Sequence, residues 1–292
     1  MRNRDHDAID ELLQGYQNSQ ILLTANRLGL FAALGDGIRD SDLVCRHLLP
    51  DSPEPRIHLL QHGSRQYERW GRLFDAVKLG RPAAAEDLDP RLSADESDFA
   101  RAMADVGRRS AAATLDQLDL SAASKLLDIG GGPAIYAIEF ARRWPQLDIT
   151  VLDGAETLAV ARENIGAAGL EHRIHTLAGD ARVDPLGGPY DAIFISNVLH
   201  IHSAVDIQRL VQRCADRLTS GGQLLLKDFF LDADPKRTPG GAIFAVNMLV
   251  STEAGDCYTV SEVQQWLDEA DLEYATLREV ASRSRLVIAL KP

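Results

Sequence analysis

The chain has 292 residues, 45% of them hydrophobic and 25% charged, with a net charge of −12. That length buries one full domain core plus a smaller accessory unit, while the acidity would repel a nucleic-acid backbone and no apolar run is long enough to span a bilayer. The start, MRNRDHDAIDELL, lacks a signal peptide's apolar stretch, and Cys45, Cys214 and Cys257 form no metal-type pair; we therefore expect a cytoplasmic protein with free thiols and no metal, nucleic-acid or membrane partner.

Helical patterns dominate the first part of the chain, over residues 8–30, 41–48, 57–79 and 98–115, with a loop rich in Ala, Pro and Asp over 80–95. The chain is expected to divide into a helical unit, 1–115, and a second unit, 116–292. The first helix carries Ile9, Leu12, Leu13, Tyr16, Ile21, Leu22, Ala25, Leu28 and Leu30, more apolar surface than one partner helix covers. Such an excess predicts a subunit interface, and an ordinary intramolecular bundle stays open as the other reading.

Next comes the most informative segment, Leu126-Leu127-Asp128-Ile129-Gly130-Gly131-Gly132-Pro133-Ala134-Ile135-Tyr136. Residues 126–129 read as a central parallel strand, apolar on both faces. Gly130 and Gly132 remove the Cβ atoms that would keep a ligand off the turning backbone, and Pro133 suits the first turn of a helix over 134–143. A dinucleotide fingerprint needs a third small residue where Ile135 stands, which argues against NAD or FAD. Asp128 before the glycines fits a cationic or hydroxyl-bearing ligand better than phosphates. The pattern suggests S-adenosylmethionine, a nucleoside bearing a sulfonium and no phosphate, although a tight structural turn is the plainer alternative.

The elements that follow support a cofactor. A strand over 148–152 ends at Asp153, where doubly wound sheets place an acid on the ribose hydroxyls. A helix over 156–168 and a strand over 174–178 lead to Gly179-Asp180, a third acid at a strand's carboxyl end. Strand 190–196 then points its end, Ser196-Asn197, at the same crevice, and strand 223–229 carries Lys227, read as a strand-edge charge.

With these motifs in place, the chain resembles the class I S-adenosylmethionine-dependent methyltransferases. It is most similar to the small-molecule O-methyltransferases of the plant caffeate and acetylserotonin type and their bacterial relatives. The resemblance rests on LLDIGGGPAIYAIEFARRWP, TVLD, AGD, YDAIFISNVLH, GGQLLLKDFFLD and NMLVSTEAGDCYTVSEVQQWLDEA. It implies an α/β fold: a doubly wound Rossmann-like sheet, mostly parallel with an antiparallel C-terminal strand, beside a smaller helical N-terminal dimerisation domain. It implies S-adenosylmethionine held by Asp128, Gly130, Gly132, Asp153, Gly179, Asp180, Ala181, Ser196 and Asn197. It further implies a homodimer whose N-terminal helices roof the partner's pocket, and a small aromatic or polyketide-like acceptor touching Met103, Phe244, Asn247, Met248 and Thr252. Met248 and Phe244 also suit plain core positions at helical spacing. The family's winged-helix unit is expected to be largely absent here, because Leu48-Leu49-Pro50-Asp51-Ser52-Pro53 runs straight into the later helix.

The resemblance places the catalytic base at His200. Forming a phenolate unaided at neutral pH costs roughly 4 kcal/mol, and histidine is the side chain best suited to take that proton. A merely hydrogen-bonded histidine at a strand end is the alternative, and His202 is expected to pack. Of the two glutamates that flank the family's base, the first falls on Asp228 and the second on Cys257, which cannot act as a carboxylate. A cofactor-binding protein that no longer methylates, and N- or C-methylation, therefore stay open beside O-methyl transfer.

Overall fold

The computed structural model describes residues 15–16, 19–33, 47–48, 56–82, 96–232, 239–280 and 284–292. The strands are β1 (Lys125–Ile129), β2 (Asp148–Asp153), β3 (Ile174–Ala178), β4 (Tyr190–Ser196), β5 (Leu218–Asp228), β6 (Glu273–Glu279) and β7 (Arg285–Leu290). They form a seven-stranded sheet in the order β3-β2-β1-β4-β5-β7-β6. The first five strands pair in parallel, and β7 runs antiparallel to both β5 and β6. This is the mostly parallel sheet with an antiparallel C-terminal strand that the sequence predicts.

Parallel strands need cover on both faces, and alternate residues supply two cores. Leu126, Phe140, Phe194 and Leu225 build one; Leu127, Ile193, Ile195, Leu226 and Val287 build the other. The helices before β1 are α1 (Ile57–Trp70), α2 (Leu73–Leu79) and α3 (Glu96–Leu115), preceded by helical residues at 19–27 and Leu30–Ala33. The sheet is covered by α4 (Ile135–Arg143), α5 (Thr157–Ala168), α6 (Ala204–Ala215) and α8 (Val260–Glu269), while α7 (Pro239–Ser251) lies between β5 and α8 in sequence. Gly107 of α3 lets Ile135 of α4 approach closely, since a Cβ there would lie 3.3 Å from Ile135. Beside that contact, the Ser110 and Tyr136 hydroxyls hydrogen-bond at 2.8 Å.

Several boundaries differ from expectation. The predicted helix 57–79 is two helices, because the chain caps α1 at Gly71: the Gly71 N–H returns to the Tyr67 carbonyl and the Arg72 N–H to the Arg69 carbonyl. Pro133 does not enter the first turn of α4; Ala134, at φ +62, caps that helix one residue later. β5 starts at Leu218 rather than 223, because Leu218 pairs with Tyr190 across a register shift in β4. Residues 8–14 of the first predicted helix, most of the predicted helix 41–48, and the 49–53 segment that bears on the wing lie outside the described residues.

The strand order reverses between β1 and β4. Crevices outside the carboxyl ends of strands at such a switch point are where ligands bind in open α/β sheets; the predicted cofactor residues, His200 and Asp228 lie at strand ends, whereas Met103 lies on α3 and Phe244, Asn247, Met248 and Thr252 on or just after α7.

Candidate active site

After β1 the chain turns sharply at two left-handed glycines, Gly130 at φ +64 and Gly132 at φ +56, a region that side chains resist. A Cβ on Gly130 would overlap Val198 beyond β4, whereas one on Gly132 would meet nothing nearer than the Gly130 carbonyl at 4.0 Å. The turn therefore closes against β4 on one side and offers bare backbone on the other. Asp128 is buried beneath it, with its Oδ2 2.6 Å from where a Gly131 Cβ would sit. That oxygen has no hydrogen-bond partner. Burial, and then the charge of Asp153, push the Asp128 carboxyl well above the usual carboxylate range.

Asp153, at the end of β2, accepts from the Gly132 N–H at 2.8 Å and the Gly154 N–H at 2.7 Å. Its pKa too is raised by burial, against the pull of those two bonds. One bond to each oxygen leaves lone pairs for further donors such as vicinal hydroxyls. Ser196 Oγ, at the end of β4, is a second buried oxygen without a partner. Bare glycine backbone, an orphaned acid and a carboxylate with spare acceptors fit a cationic nucleoside. Pyrophosphate is poorly served, because Ile135 fills the third small-residue position against Gly107.

At the end of β3, Asp180 is clamped by Arg182, with Nη2 at 2.7 Å and Nε at 3.0 Å from its oxygens. The hydrogen bond from Arg182 is the main cause holding the Asp180 carboxyl below its usual range. Gly179 backs onto Asp184, and Ala181 is buried with its carbonyl taken by Arg213 Nε at 3.0 Å. This third loop is thus braced by two arginines that the sequence reading passed over.

Asn197, left-handed at φ +58, turns the chain from β4 into a single helical turn, Leu199–Ile201. His200 is buried there and its Nδ1–H donates to Asp228 Oδ1 at 2.6 Å, while its backbone N–H reaches Oδ2 at 3.3 Å. An acceptor carboxylate at Nδ1 sets the tautomer and leaves Nε2 as the basic nitrogen. Nε2 makes no hydrogen bond among the described residues. Burial alone would raise the pKa of Asp228; the His200 charge and bond, with the Phe229 N–H, outweigh it and hold the carboxyl below its usual range. Phe244 meets the imidazole edge-on at 4.9 Å and Phe229 at 6.0 Å. Cys257 is buried close by, its thiol pushed up to about 12 by burial and by the charges of Asp228 and Asp256. The position of the missing second acid is therefore held by a neutral group.

Among the residues predicted to touch an acceptor, Asn247 Oδ1 accepts from Trp70 Nε1 of α1 at 2.9 Å; nearby on α7, Ser251 donates to Gln66 at 3.0 Å. The amide nitrogen of Asn247 makes no hydrogen bond among the described residues. Trp70 and Gln66 were not singled out from sequence; only their shared helix face, four residues apart, could have signalled them. Met248 is buried and Met103 half-buried. Thr252 donates to the Met248 carbonyl at 2.8 Å and accepts from Gly255 N–H at 3.0 Å, so its hydroxyl shapes the loop. His202 is half-buried, and burial foremost lowers its pKa.

Lys227 corrects a sequence expectation. It is not a strand-edge charge: β5 is paired on both sides, and Lys227 is 1% exposed. Its Nζ lies 3.3 Å from Asn197 Oδ1 and 5.6 Å from the centre of the Tyr136 ring.

Comparison with known proteins assigns the family. A family model described as an O-methyltransferase domain matches residues 72–272. The chain is 30% identical over 282 residues to 3-hydroxy-5-methyl-1-naphthoate 3-O-methyltransferase of Streptomyces sahachiroi, covering 94% of this chain and 81% of that protein. It is 25% identical over 276 residues to the tetracenomycin polyketide synthesis 8-O-methyl transferase TcmO of Streptomyces glaucescens, covering 91% and 80%. The crystal structure of human N-acetylserotonin methyltransferase in complex with S-adenosylmethionine shares the fold, with a TM-score of 0.84 at 24% identity over 98% of this chain and 97% of that one. The chain belongs to the O-methyltransferase family and is an S-adenosylmethionine-dependent O-methyltransferase.

Proposed function

We propose that this O-methyltransferase methylates a hydroxyl of a small aromatic or polyketide-like molecule, with His200 as general base and Asp228 as the group that orients it. The buried His200–Asp228 pair at 2.6 Å, walled by Phe229 and Phe244, carries the reading. When bound, S-adenosylmethionine supplies a methyl group on a sulfonium. The glycine turn with Asp128, Gly130, Gly132 and Asp153, the loop Gly179–Ala181, and Ser196 with Asn197 hold and orient it. Met103, Phe244, Asn247, Met248 and Thr252 form the acceptor side, which Trp70 braces through Asn247. His200 Nε2 receives the hydroxyl proton, and Asp228 stabilises the imidazolium that results. With Cys257 neutral, a single carboxylate supports the base, which favours an acceptor whose hydroxyl is already acidic, a phenol rather than an alcohol. The names of the naphthoate and tetracenomycin relatives agree with that class.

The reading includes a homodimer. Phe74, Val77 and Leu79 of α2 are 77%, 63% and 58% exposed, and Ile21 and Leu28 are exposed as well. So much apolar surface on the helical unit supports a second copy as its cover. A reducing, cytoplasmic setting is part of the same proposal, supported by the free buried thiols of Cys214 and Cys257. No helix among the described residues is long and apolar enough to cross a membrane.

A labelled-methyl screen over phenols, hydroxynaphthoates and hydroxyquinones tests the proposal. Label on an acceptor oxygen, placed by NMR of the product, is the expected result. Cofactor binding without label in any hydroxylated aromatic, or label on nitrogen or carbon, would overturn it.

A further inference from the structure

A buried ammonium with too few acceptors stands at the cofactor's edge of the sheet. Lys227 is among the largest fully buried side chains of the protein. Its three N–H donors find one acceptor among the described residues, Asn197 Oδ1 at 3.3 Å. No carboxylate pairs with it among the described residues: its strand neighbour Asp228 points to the opposite face, toward His200. The face of Tyr136 at 5.6 Å offers a weaker, cation–π contact. Lys227 is in register with Ser196 on β4, so both side chains emerge on one face at the strands' carboxyl ends. Ser196 Oγ is itself buried without a partner. A cation taken from water with so little compensation is costly unless an anion completes the site.

The cofactor brings such an anion. S-adenosylmethionine carries one carboxylate, on its methionine tail, and the rest of its charge is positive. Asp128 and Asp153 bring negative charge to the β1–β2 side of the switch point; Lys227 is the buried cation on the β4–β5 side. We propose that Lys227 is a cofactor-binding residue whose ammonium receives the methionyl carboxylate, with Ser196 Oγ as a second donor. Asn197 then keeps the ammonium in place when the cofactor is absent. The electrostatic pattern also sets the cofactor's direction, since a reversed tail would bring its ammonium or sulfonium to Lys227. This inference rests on the cofactor rather than on the acceptor proposal, so it stands or falls independently of which hydroxyl is methylated.

Calorimetric binding of two ligands to the full chain tests it: S-adenosylmethionine and its decarboxylated form, which keeps the sulfonium and the ammonium. Wild-type protein should prefer the carboxylate-bearing ligand by about 10- to 100-fold, the range of one hydrogen bond to a charged group. Lys227→Met should lose most of that preference by weakening the first ligand and leaving the second nearly unchanged, and Lys227→Arg should retain part of it. Equal weakening of both ligands by Lys227→Met would make Lys227 a structural support for the Asn197 turn and overturn the proposal. So would a wild-type protein that binds both ligands equally, a result that needs no variant to fold.

Discussion

In the proposed mechanism His200 adds one proton acceptor to a site that aligns donor and acceptor. Alignment can supply roughly 7–11 kcal/mol of the barrier, whereas a general base contributes about 10²–10⁴-fold in rate. His200→Ala is therefore expected to slow turnover within that range while leaving cofactor affinity unchanged, as read by steady-state kinetics beside calorimetry. Unchanged turnover at neutral pH would remove His200 from the mechanism. The two buried acids respond to pH in opposite directions. Asp228, held below its usual pKa, contributes stability above the unfolded value near ~3.9 and loses it as pH falls through the folded value. Asp128, held above it, contributes most below ~3.9, and that contribution is lost as pH rises through its raised folded value. Asp128→Asn should accordingly flatten the decline of thermal stability of the cofactor-free protein with rising pH, and weaken S-adenosylmethionine binding. Parallel melting curves for variant and wild type across that pH range would refute this account of Asp128.

Among the connecting elements, the turns carry more of the site than the strands do. The loop after α7 returns under the turn that carries His200 at Gly255, where a Cβ would overlap the His200 carbonyl and lie 3.1 Å from Ile201 Cα. Both are backbone atoms and cannot swing aside as a long side chain would, so Gly255→Ala must displace the turn that carries His200. Overpacking of this kind costs about 1–3 kcal/mol. The expected result is a modest drop in melting temperature, a clear loss of kcat and unchanged cofactor affinity. A variant with wild-type kcat would show that the His200 turn does not depend on this contact. The glycine turn after β1 was legible in sequence because its glycines are consecutive and close a buried strand. Gly255 carried no such mark, since its constraint comes from a turn far away in sequence.

For the whole molecule, the apolar face that Phe74, Val77 and Leu79 expose on α2 bears on assembly. If a second copy covers it, light scattering should give twice the chain mass, and the pair Phe74→Glu with Val77→Glu should shift it to the monomer. A wild-type monomer at micromolar concentration would sink that proposal. Trp70 of α1 bonds Asn247 of α7, which the proposal places on the acceptor side, so a change of assembly there should register in KM for the acceptor before it registers in cofactor binding.

The sequence alone was enough for the sheet class and the cofactor type, which rest on local signals: apolar runs ending in acids and a glycine turn. The His200–Asp228 pairing came from the resemblance to a family. Only tertiary structure decided that Asp128 lies beneath its turn with one oxygen unpartnered, that Cys257 is a neutral neighbour of Asp228, and that Lys227 is buried. A lysine near a strand's end reads as solvated from its neighbours in sequence. Its burial follows from β4 and β7 flanking β5 and from Tyr136 above, and those neighbours are assembled by the fold.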